Sequence, residues 1–290
     1  MNKHALLLIV VACVFWGTSG IFVHYLAPIG FSSINMTGAR AFVAFLSMLL
    51  YTLLFNRQAL KVKRKHLILS FCMGVAFFGT AGLYFTAMTM TSVSTAVVLM
   101  YTAPIYVTVY SVMFLGEKMT GKKLLSVIFV IVGCAMVSGA FGGMRFDPLG
   151  ITLGVLSGVS YAAYNILTKT TMKCGAKPDT ATLYCFLAAS ITAIFAADIK
   201  GLCTTVAKAP FVNIFALLLL GIVTCVIPYL TYTLALRSLP AGVASSLGII
   251  EPMSATLFSV ILFKEELDAV KIIGIAVILV AVMLLGREKE

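Results

Sequence analysis

The chain has 290 residues, of which 61% are hydrophobic and 11% are charged, and its mean hydropathy is +1.08. A soluble domain carries roughly 25% charged and under 50% apolar residues, so this composition excludes a soluble enzyme, a nucleic-acid-binding domain and a secreted disulfide scaffold. The net charge of +11 is typical of the cytoplasmic loops of a polytopic membrane protein, and we therefore expect no nucleic-acid partner.

Apolar segments separated by short polar or glycine- and proline-containing breaks follow one another along the whole chain. Each is close to the roughly 20 residues that an α-helix needs to cross a bilayer. The first follows Lys3 and lacks a small-residue cleavage site, so we interpret it as a transmembrane helix and not as a signal peptide. We predict an all-α membrane protein with ten transmembrane helices at residues 5–26, 31–54, 67–88, 92–114, 122–140, 149–169, 179–198, 211–233, 241–263 and 270–286.

Lysine and arginine residues are distributed unevenly between the two sets of loops. With the N-terminus in the cytoplasm, fifteen fall in cytoplasmic segments, Lys169 and Lys173 among them, and five fall in external segments, while Arg40 lies within a span. Cytoplasmic loops carry an excess of positive charge, so we expect a multi-pass protein of the cytoplasmic membrane with both termini inside the cell. We interpret the basic run 61–65 as a topology signal, the alternative being a specific lipid or partner site.

The two halves of the chain resemble each other. At an offset of 148 residues, nine of 34 positions are identical. Because each half holds five predicted helices, an odd number, the second half must be inserted upside down relative to the first, as in many secondary transporters. We predict two inverted repeats, residues 1–144 and 145–290. The identical pairs include Tyr84 and Tyr232, Pro104 and Pro252, and Glu117 and Glu265.

Three short motifs resemble the ten-helix EamA-type family of the drug/metabolite transporter superfamily. They are Phe-Trp-Gly at residues 15–17, an arginine early in the second span (Arg40), and Ala-Pro through Phe-Leu-Gly-Glu at residues 103–117, with a counterpart at residues 251–266. The resemblance covers the whole chain. It implies a 5+5 inverted fold that moves small organic solutes, often outward, and it does not identify the solute because the family is broad in substrate.

The second copy of the last motif departs from the first. Residues 263–265 read Phe-Lys-Glu where residues 115–117 read Leu-Gly-Glu. We therefore expect the turn after the ninth span to differ in geometry from the turn after the fourth.

Two ionisable residues lie deep inside predicted spans, Arg40 in the second and Glu251 in the ninth. A charge at the bilayer centre costs about 2.5–3.5 kcal/mol on translocon scales, so each needs a partner or a function. At 1.5 Å per residue they lie roughly 13 and 18 Å below the outer ends of their spans, depths compatible with pairing. One interpretation is a structural ion pair, or a carboxylate bonded to backbone groups freed by Pro252. The other is that Glu251 binds a coupled proton or cation.

Three prolines interrupt predicted spans. Pro104 and Pro252 occupy equivalent repeat positions in the fourth and ninth spans, and Pro228 lies in the eighth. Each removes a backbone donor and frees a carbonyl group, which in lipid must be satisfied by protein or by cavity water. We interpret these helices as kinked around a central cavity, and both a static kink and a moving hinge remain open.

The sixth span has glycines four residues apart on one face, at Gly150, Gly154 and Gly158. Small residues at this spacing allow helices to approach closely. We expect them to pack inside the monomer, with the seam of a weak homodimer as the alternative.

Aromatic residues with polar atoms recur in the first, third, fourth, sixth and eighth spans, and we expect these spans and the ninth to line a cavity. Such a set can stack on a ring or surround a cationic head group, whereas any one of its members taken alone is better explained by interhelical packing or by an interface anchor. We predict that the set lines a substrate cavity. Its members are Trp16, Tyr84, Tyr101, Tyr161, Tyr164, Asn165, Tyr229 and Tyr232.

The sequence lacks the patterns of other chemistries. Its three histidines have no metal-ligand spacing, and it contains no phosphate-binding GxxxxGK[ST] loop. We expect no cofactor and no enzymatic activity, and predict a secondary carrier for a small organic solute, an amino acid, metabolite or drug-like amphiphile, working in efflux and driven by the solute gradient or by protons. The alternatives are an uptake permease for a nucleobase, vitamin or quaternary amine and, in another class, an intramembrane enzyme.

Overall fold

The computed structural model describes residues 3–91, 93–116, 118–137, 147–264 and 268–286. All regular secondary structure within these ranges is helical, as the composition predicts. Several residues used in the sequence argument lie outside the described residues, together with the predicted repeat boundary between residues 144 and 145. They are Glu117, Arg145, Glu265, Glu266, Arg287 and Lys289.

Each predicted span coincides with a helical segment, and we number these segments α1 to α10. In the described part of the chain, eight of these segments are at least 18 residues long and apolar enough to cross a membrane. The two segments that are not among these eight are α5 and α10. A further short helix, Ile199–Ala207, precedes α8 and was not predicted. The segments are Lys3–Ile29, Ser33–Phe55, Arg64–Met90, Val93–Met100 with Ala103–Phe114, Gly121–Val137, Pro148–Lys173, Pro178–Ala196, Pro210–Leu236, Ala241–Phe263 and Ala269–Gly286.

Local sequence signals explain where several helices begin and end. The Ser32 side chain accepts a hydrogen bond from the backbone N–H of Asn35 at 3.1 Å and caps α2. Asp147 caps α6 in the same way, accepting from the N–H of Gly150 at 2.7 Å, with proline in the first turn. Helix α6 ends before Gly175, whose φ of +83° closes its C-terminus.

The helices pack in pairs that are related by exchanging the two halves of the chain. Helix α3 packs on α6 and, equivalently, α8 packs on α1, while the contact of α4 with α6 corresponds to that of α9 with α1. The contact of α3 with α7 corresponds to that of α8 with α2. In the contacts α2–α7, α4–α9 and α5–α10, each helix packs against its own counterpart in the other half, so exchanging the two halves leaves these pairs unchanged. Each of these contacts joins a helix of residues 3–137 to a helix of residues 147–286.

The glycine face of α6 packs inside the chain, as we expected. A Cβ atom at Gly150 would lie 2.7 Å from Thr91 Cγ2, and one at Gly158 would lie 2.7 Å from the carbonyl oxygen of Leu99. Gly154 likewise packs on Leu99. These glycines therefore bring α6 against the end of α3 and the first half of α4.

One residue at the end of α4 and the equivalent residue at the end of α9 share a left-handed backbone conformation despite their different sequences. Gly116 has a φ of +72°, and the equivalent residue Lys264 has a φ of +56°. At this residue the expected difference in geometry is not seen. Lys264 adopts the left-handed region at a cost that Gly116 avoids.

The outer surface of the bundle is strongly apolar. Phe55, Phe195 and Phe211 are 76%, 86% and 92% exposed. Large exposed apolar surfaces on a soluble monomer are unusual, whereas lipid covers them at no cost. Together with the length of the helices, this surface shows a multi-pass membrane protein.

Candidate functional site

A cavity of about 490 Å³ lies between α1, α2, α3, α4, α6, α8 and α9. We call the side of the bundle on which α1 begins the N-side, and the other side the distal side. The cavity reaches from the middle of the bundle toward the distal side, because its wall is formed by residues 16–23 of α1, 33–40 of α2 and 77–88 of α3. A volume in this range holds a small organic molecule.

Six of the eight side chains that we predicted to line a substrate cavity lie on its wall. Asn165 and Tyr232 are not among the wall residues. Both are completely buried, and the Tyr232 hydroxyl donates a hydrogen bond to Asn165 Oδ1. They support the wall from behind, and the residues on the wall are Trp16, Tyr84, Tyr101, Tyr161, Tyr164 and Tyr229.

Tyr229 is at the centre of an aromatic cluster on this wall. Its ring centroid lies 4.9 Å from that of Trp16, 5.0 Å from that of Phe77 and 5.5 Å from that of Tyr164. The three contacts are edge-to-face, with interplanar angles of 68°, 82° and 84°, an arrangement that stabilises aromatic pairs beyond their buried area. The cluster joins α1, α3, α6 and α8 and keeps the wall rigid.

Arg40 and Glu251 both lie on the wall, and both are partly exposed to the cavity. Among the residues that the structure describes, no salt bridge of 4.0 Å or less joins them. The Arg40 guanidinium carbon instead lies 5.6 Å from the centroid of the Phe77 ring, a cation–π contact. The structure thus brings the two charges into one cavity without pairing them directly.

The Tyr101 hydroxyl lies near the carboxylate of Glu251, close enough for the two groups to interact. It is buried, and within the described ranges it makes no hydrogen bond of normal geometry. The indole N–H of Trp16 and the Nε of Arg40 are also buried without a described partner. A buried N–H or O–H group without an acceptor raises the free energy of the folded protein. The wall therefore offers more hydrogen-bond donors than acceptors.

The helices that carry these residues are interrupted at equivalent positions. Helix α4 breaks between Val93–Met100 and Ala103–Phe114, and α9 breaks between Ala241–Leu247 and Ile250–Phe263. Discontinuous helices near the bilayer midplane commonly carry the binding site in transporters. The repeat offset of 148 residues relates the two breaks, and Tyr101 and Glu251 lie at them.

The prolines lie just after the interruptions and not at the centre of continuous helices. Pro104 and Pro252 are in the first turn of the second half of α4 and α9, and Pro228 follows a π-helical turn at Ile222–Val226. A first-turn proline is tolerated because its missing N–H would have had no helical partner. Only Pro252 of the three lies on the cavity wall.

On the N-side, a buried lysine joins α6 to the end of α8. Lys169 of α6 is 8% exposed, and its Nζ donates to the carbonyl oxygens of Leu236 at 2.9 Å and Leu239 at 2.5 Å, where α8 ends. A cation at a helix C-terminus binds free carbonyl groups and the negative end of the helix dipole. Lys169, which is counted among the cytoplasmic segments on the sequence alone, lies within α6, because this helix continues to Lys173.

Sequence reasoning missed some wall residues and the contact of Lys169 with the end of α8. The polar side chains of Ser33 and Thr37 line the cavity from α2, a helix that was not predicted to contribute beyond Arg40. Phe77 was missed because a phenylalanine in an apolar span resembles any lipid-facing residue.

The site is built for binding. Within the described residues, no group of three or more His, Cys, Asp or Glu side chains is placed to hold a metal ion. What the wall offers is one cation, one carboxylate and several aromatic rings. A solute can be held here by charge, by hydrogen bonds and by stacking.

Comparison with known proteins identifies the family. The model of the EamA-like transporter family matches residues 3–139 and again residues 148–287. An uncharacterized transporter of Archaeoglobus fulgidus is 29% identical over 97% of this chain and 95% of its own, and the uncharacterized transporter YwfM of Bacillus subtilis is 23% identical over 97% and 93%. A crystal structure at 16% identity shares the fold over 98% of this chain and 96% of its own, with a TM-score of 0.78. The chain belongs to the EamA-like transporter family.

Proposed function

We propose that this transporter is a secondary carrier that moves a small organic solute across the cytoplasmic membrane by alternating access through the central cavity. In this proposal the ten helices form two inverted repeats, both termini are cytoplasmic and one chain suffices for transport. The solute is an amino acid, a metabolite or a drug-like amphiphile. Its direction in the cell is outward, as the family resemblance implies.

The observation that carries the proposal is the one-sidedness of the cavity. Its wall residues lie in the distal halves of α1, α2 and α3, whereas on the N-side Lys169 joins α6 to the end of α8. A binding site reachable from one side and closed on the other is one of the two states that alternating access requires. A channel would need a continuous path.

The second state, open on the N-side and closed on the distal side, would arise when the two halves of the chain exchange their conformations. Because the main contacts between residues 3–137 and residues 147–286 have equivalents in which the two halves are exchanged, the same interfaces can close the distal side when the N-side opens. The cavity is complete within one chain, which supports a monomer as the transporting unit.

Glu251 is the group at which proton coupling would act in this proposal. It lies on the cavity wall at the break of α9, where a carboxylate is accessible to the solute. A Glu251→Gln variant removes the charge with little change in shape. Loss of pH-dependent transport in this variant supports coupling at Glu251, whereas transport with unchanged pH dependence refutes it.

The proposal is tested by counterflow in sealed proteoliposomes. Vesicles are loaded with one unlabelled solute from a panel of amino acids, nucleobases and quaternary amines, and uptake of the same labelled solute is measured. We expect uptake above that of protein-free vesicles for at least one solute. Chemical conversion of a solute or a labelled lipid by the purified protein, without counterflow, would support an intramembrane enzyme instead.

A matched pair of variants links transport to the cavity. A Cβ atom at Gly20 of α1 or at Gly82 of α3 would meet nothing within 4 Å, and only Gly20 lies on the cavity wall. Gly20→Phe should therefore abolish counterflow by filling the cavity, while Gly82→Phe should preserve it. Equal activity of the two variants would place the transport path elsewhere.

A further inference from the structure

The unusual feature of the cavity is that it holds two opposite charges that do not neutralise each other directly. Arg40 comes from α2 in the first repeat, and Glu251 comes from α9 in the second. Within the part of the chain that the structure describes, no salt bridge of 4.0 Å or less joins the two side chains, and Arg40 Nε is buried without a hydrogen-bond partner. Arg40 contacts the Phe77 ring, and the Tyr101 hydroxyl lies near Glu251, but both of these neighbours are uncharged. Isolated charges at this depth are costly unless something compensates them.

The two charges are also at different depths. Arg40 is seven residues from the distal end of α2 at Ser33, which places its Cα about 10 Å deep at 1.5 Å per residue. Glu251 is twelve residues from the distal end of α9 at Phe263, or about 18 Å deep. A solute entering from the distal side meets the cation first and the carboxylate further in.

The surface near the charges is aromatic and apolar. Phe77 holds the guanidinium group on one side of the cavity, and Tyr84 and Tyr229 line the wall together with Met36 and Met100. Such a surface accommodates an apolar body but offers no further charge. The charged ends of a ligand therefore have one complementary partner each.

From this arrangement we infer that the transported solute is a zwitterion, with a carboxylate group bound by Arg40 and an ammonium group bound by Glu251. The inference rests on the proposed function and names the substrate class of the same cavity. Arginine offers its N–H groups in a fork that matches a carboxylate, and a carboxylate side chain accepts hydrogen bonds from an ammonium group. One bound zwitterion compensates both wall charges without changing the net charge of the site.

A solute with one charge fits less well. A cation would bind Glu251 and the aromatic rings but would leave Arg40 uncompensated and would be repelled by it. An anion would bind Arg40 and would be repelled by Glu251. A neutral ring would stack on Tyr229 and use neither charge.

The test measures ligand binding to the purified protein through the change in its melting temperature. A solute that binds the folded form raises the melting temperature. The panel contains the proteinogenic amino acids and the unbranched series glycine, β-alanine, 4-aminobutyrate, 5-aminopentanoate and 6-aminohexanoate, which varies the distance between the two charges. We expect at least one zwitterion to stabilise the protein. Its N-acetyl derivative, which lacks the cation, and its carboxamide, which lacks the anion, should each bind roughly 10- to 100-fold more weakly.

Variants assign each charge to its partner. Arg40→Gln should weaken binding of the zwitterion but not of its carboxamide, and Glu251→Gln should weaken binding of the zwitterion but not of its N-acetyl derivative. Lys200→Gln removes an exposed charge outside the cavity wall and serves as the control. The derivatives are tested on the unaltered protein, so the inference is testable even if a variant fails to fold.

The outcomes separate this inference from the proposed function. If no zwitterion binds, or if the N-acetyl derivative or the carboxamide binds as tightly as its parent, the inference is wrong. Counterflow of a solute with one charge or none would then leave the carrier function standing. Absence of counterflow for every solute, with zwitterion binding retained, would overturn the carrier function and not the assignment of the ligand.

Discussion

The hydroxyl of Tyr232 in α8 donates a hydrogen bond to Oδ1 of Asn165 in α6, and both side chains are completely buried. Asn165 in turn donates through Nδ2 to the carbonyl oxygen of Tyr161 at 2.8 Å, one turn earlier in α6. This chain of hydrogen bonds connects the second-repeat helices behind the cavity. It fixes the part of α6 that carries the wall residues Tyr161 and Tyr164.

Replacing Tyr232 by phenylalanine should lower the stability of the protein. The substitution leaves Asn165 Oδ1 buried without this donor, and interhelical hydrogen bonds in membrane proteins contribute about 0.6–1.7 kcal/mol. A lower melting temperature in detergent is expected. Tyr110→Phe is the control, because Tyr110 is 36% exposed on the outer surface of α4. Equal melting temperatures of the two variants would show that the Tyr232 hydrogen bond is not stabilising.

Removal of the Lys169 ammonium group should open the N-side of the bundle. Hydrogen bonds to a charged group contribute about 1.5–3 kcal/mol, so Lys169→Met should shift the equilibrium roughly tenfold or more toward the state open on that side. The native thiol of Cys13 reports the change, because it is buried in α1 and lies 3.6 Å from the carbonyl oxygen of Leu247 in α9.

The rate of Cys13 alkylation by N-ethylmaleimide, followed by peptide mass spectrometry, should increase in Lys169→Met. Cys203, which is exposed in the short helix Ile199–Ala207 outside the spans, provides the internal reference for reagent activity. Lys177→Met, which removes an exposed lysine on the same side, should leave the Cys13 rate unchanged. An unaltered Cys13 rate in a folded Lys169→Met variant would contradict a closing role for this lysine.

Two glycines of α3 should respond oppositely to replacement by alanine. A Cβ atom at Gly74 would lie 2.2 Å from the carbonyl oxygen of Cys185 in α7, so Gly74→Ala forces the helices apart, whereas a Cβ atom at Gly82 meets nothing within 4 Å. Overpacking costs about 1–3 kcal/mol, and alanine is favoured over glycine in a helix by about 1 kcal/mol. Gly74→Ala should lower the melting temperature and Gly82→Ala should leave it equal or raise it. Identical shifts would contradict the close α3–α7 contact.

Lys264→Gly should stabilise the protein. Lys264 adopts a φ of +56°, and a non-glycine residue held in the left-handed region costs about 1–3 kcal/mol, a cost that glycine avoids. The reciprocal change Gly116→Ala, at a φ of +72°, should destabilise it. Thermal melting of both variants measures the effect, and a lower melting temperature for Lys264→Gly would refute it.

Trp16 is the one tryptophan of the sequence and lies on the cavity wall. Its ring contacts Tyr229 and Tyr232 at centroid distances of 4.9 and 5.2 Å. A solute bound in the cavity should therefore change the intrinsic fluorescence of the protein in a saturable way. The fluorescence affinity should match that from thermal stabilisation, and Trp16→Phe should lose the signal while retaining stabilisation. A solute that stabilises the protein without any change in fluorescence would bind outside this cavity.

Much of the architecture could be predicted because the bilayer imposes strong constraints on a sequence. Every spanning segment must be long, apolar and helical, so the apolar segments coincide with observed helices. The six aromatic residues on the wall could be predicted as a group because polar atoms in apolar spans are costly. Arg40 and Glu251 stood out for the same reason.

The amino-acid sequence by itself therefore determined three things: the set of helices, the similarity between the two halves of the chain, and the residues that are too polar to face lipid. The tertiary structure decided the rest. It placed Asn165 and Tyr232 behind the wall, kept Arg40 and Glu251 in one cavity without a direct salt bridge, and buried Lys169 at the end of α8. The physical reason is that the pattern of apolar residues records which environment each side chain prefers, while the neighbour that it meets depends on how distant helices pack against each other.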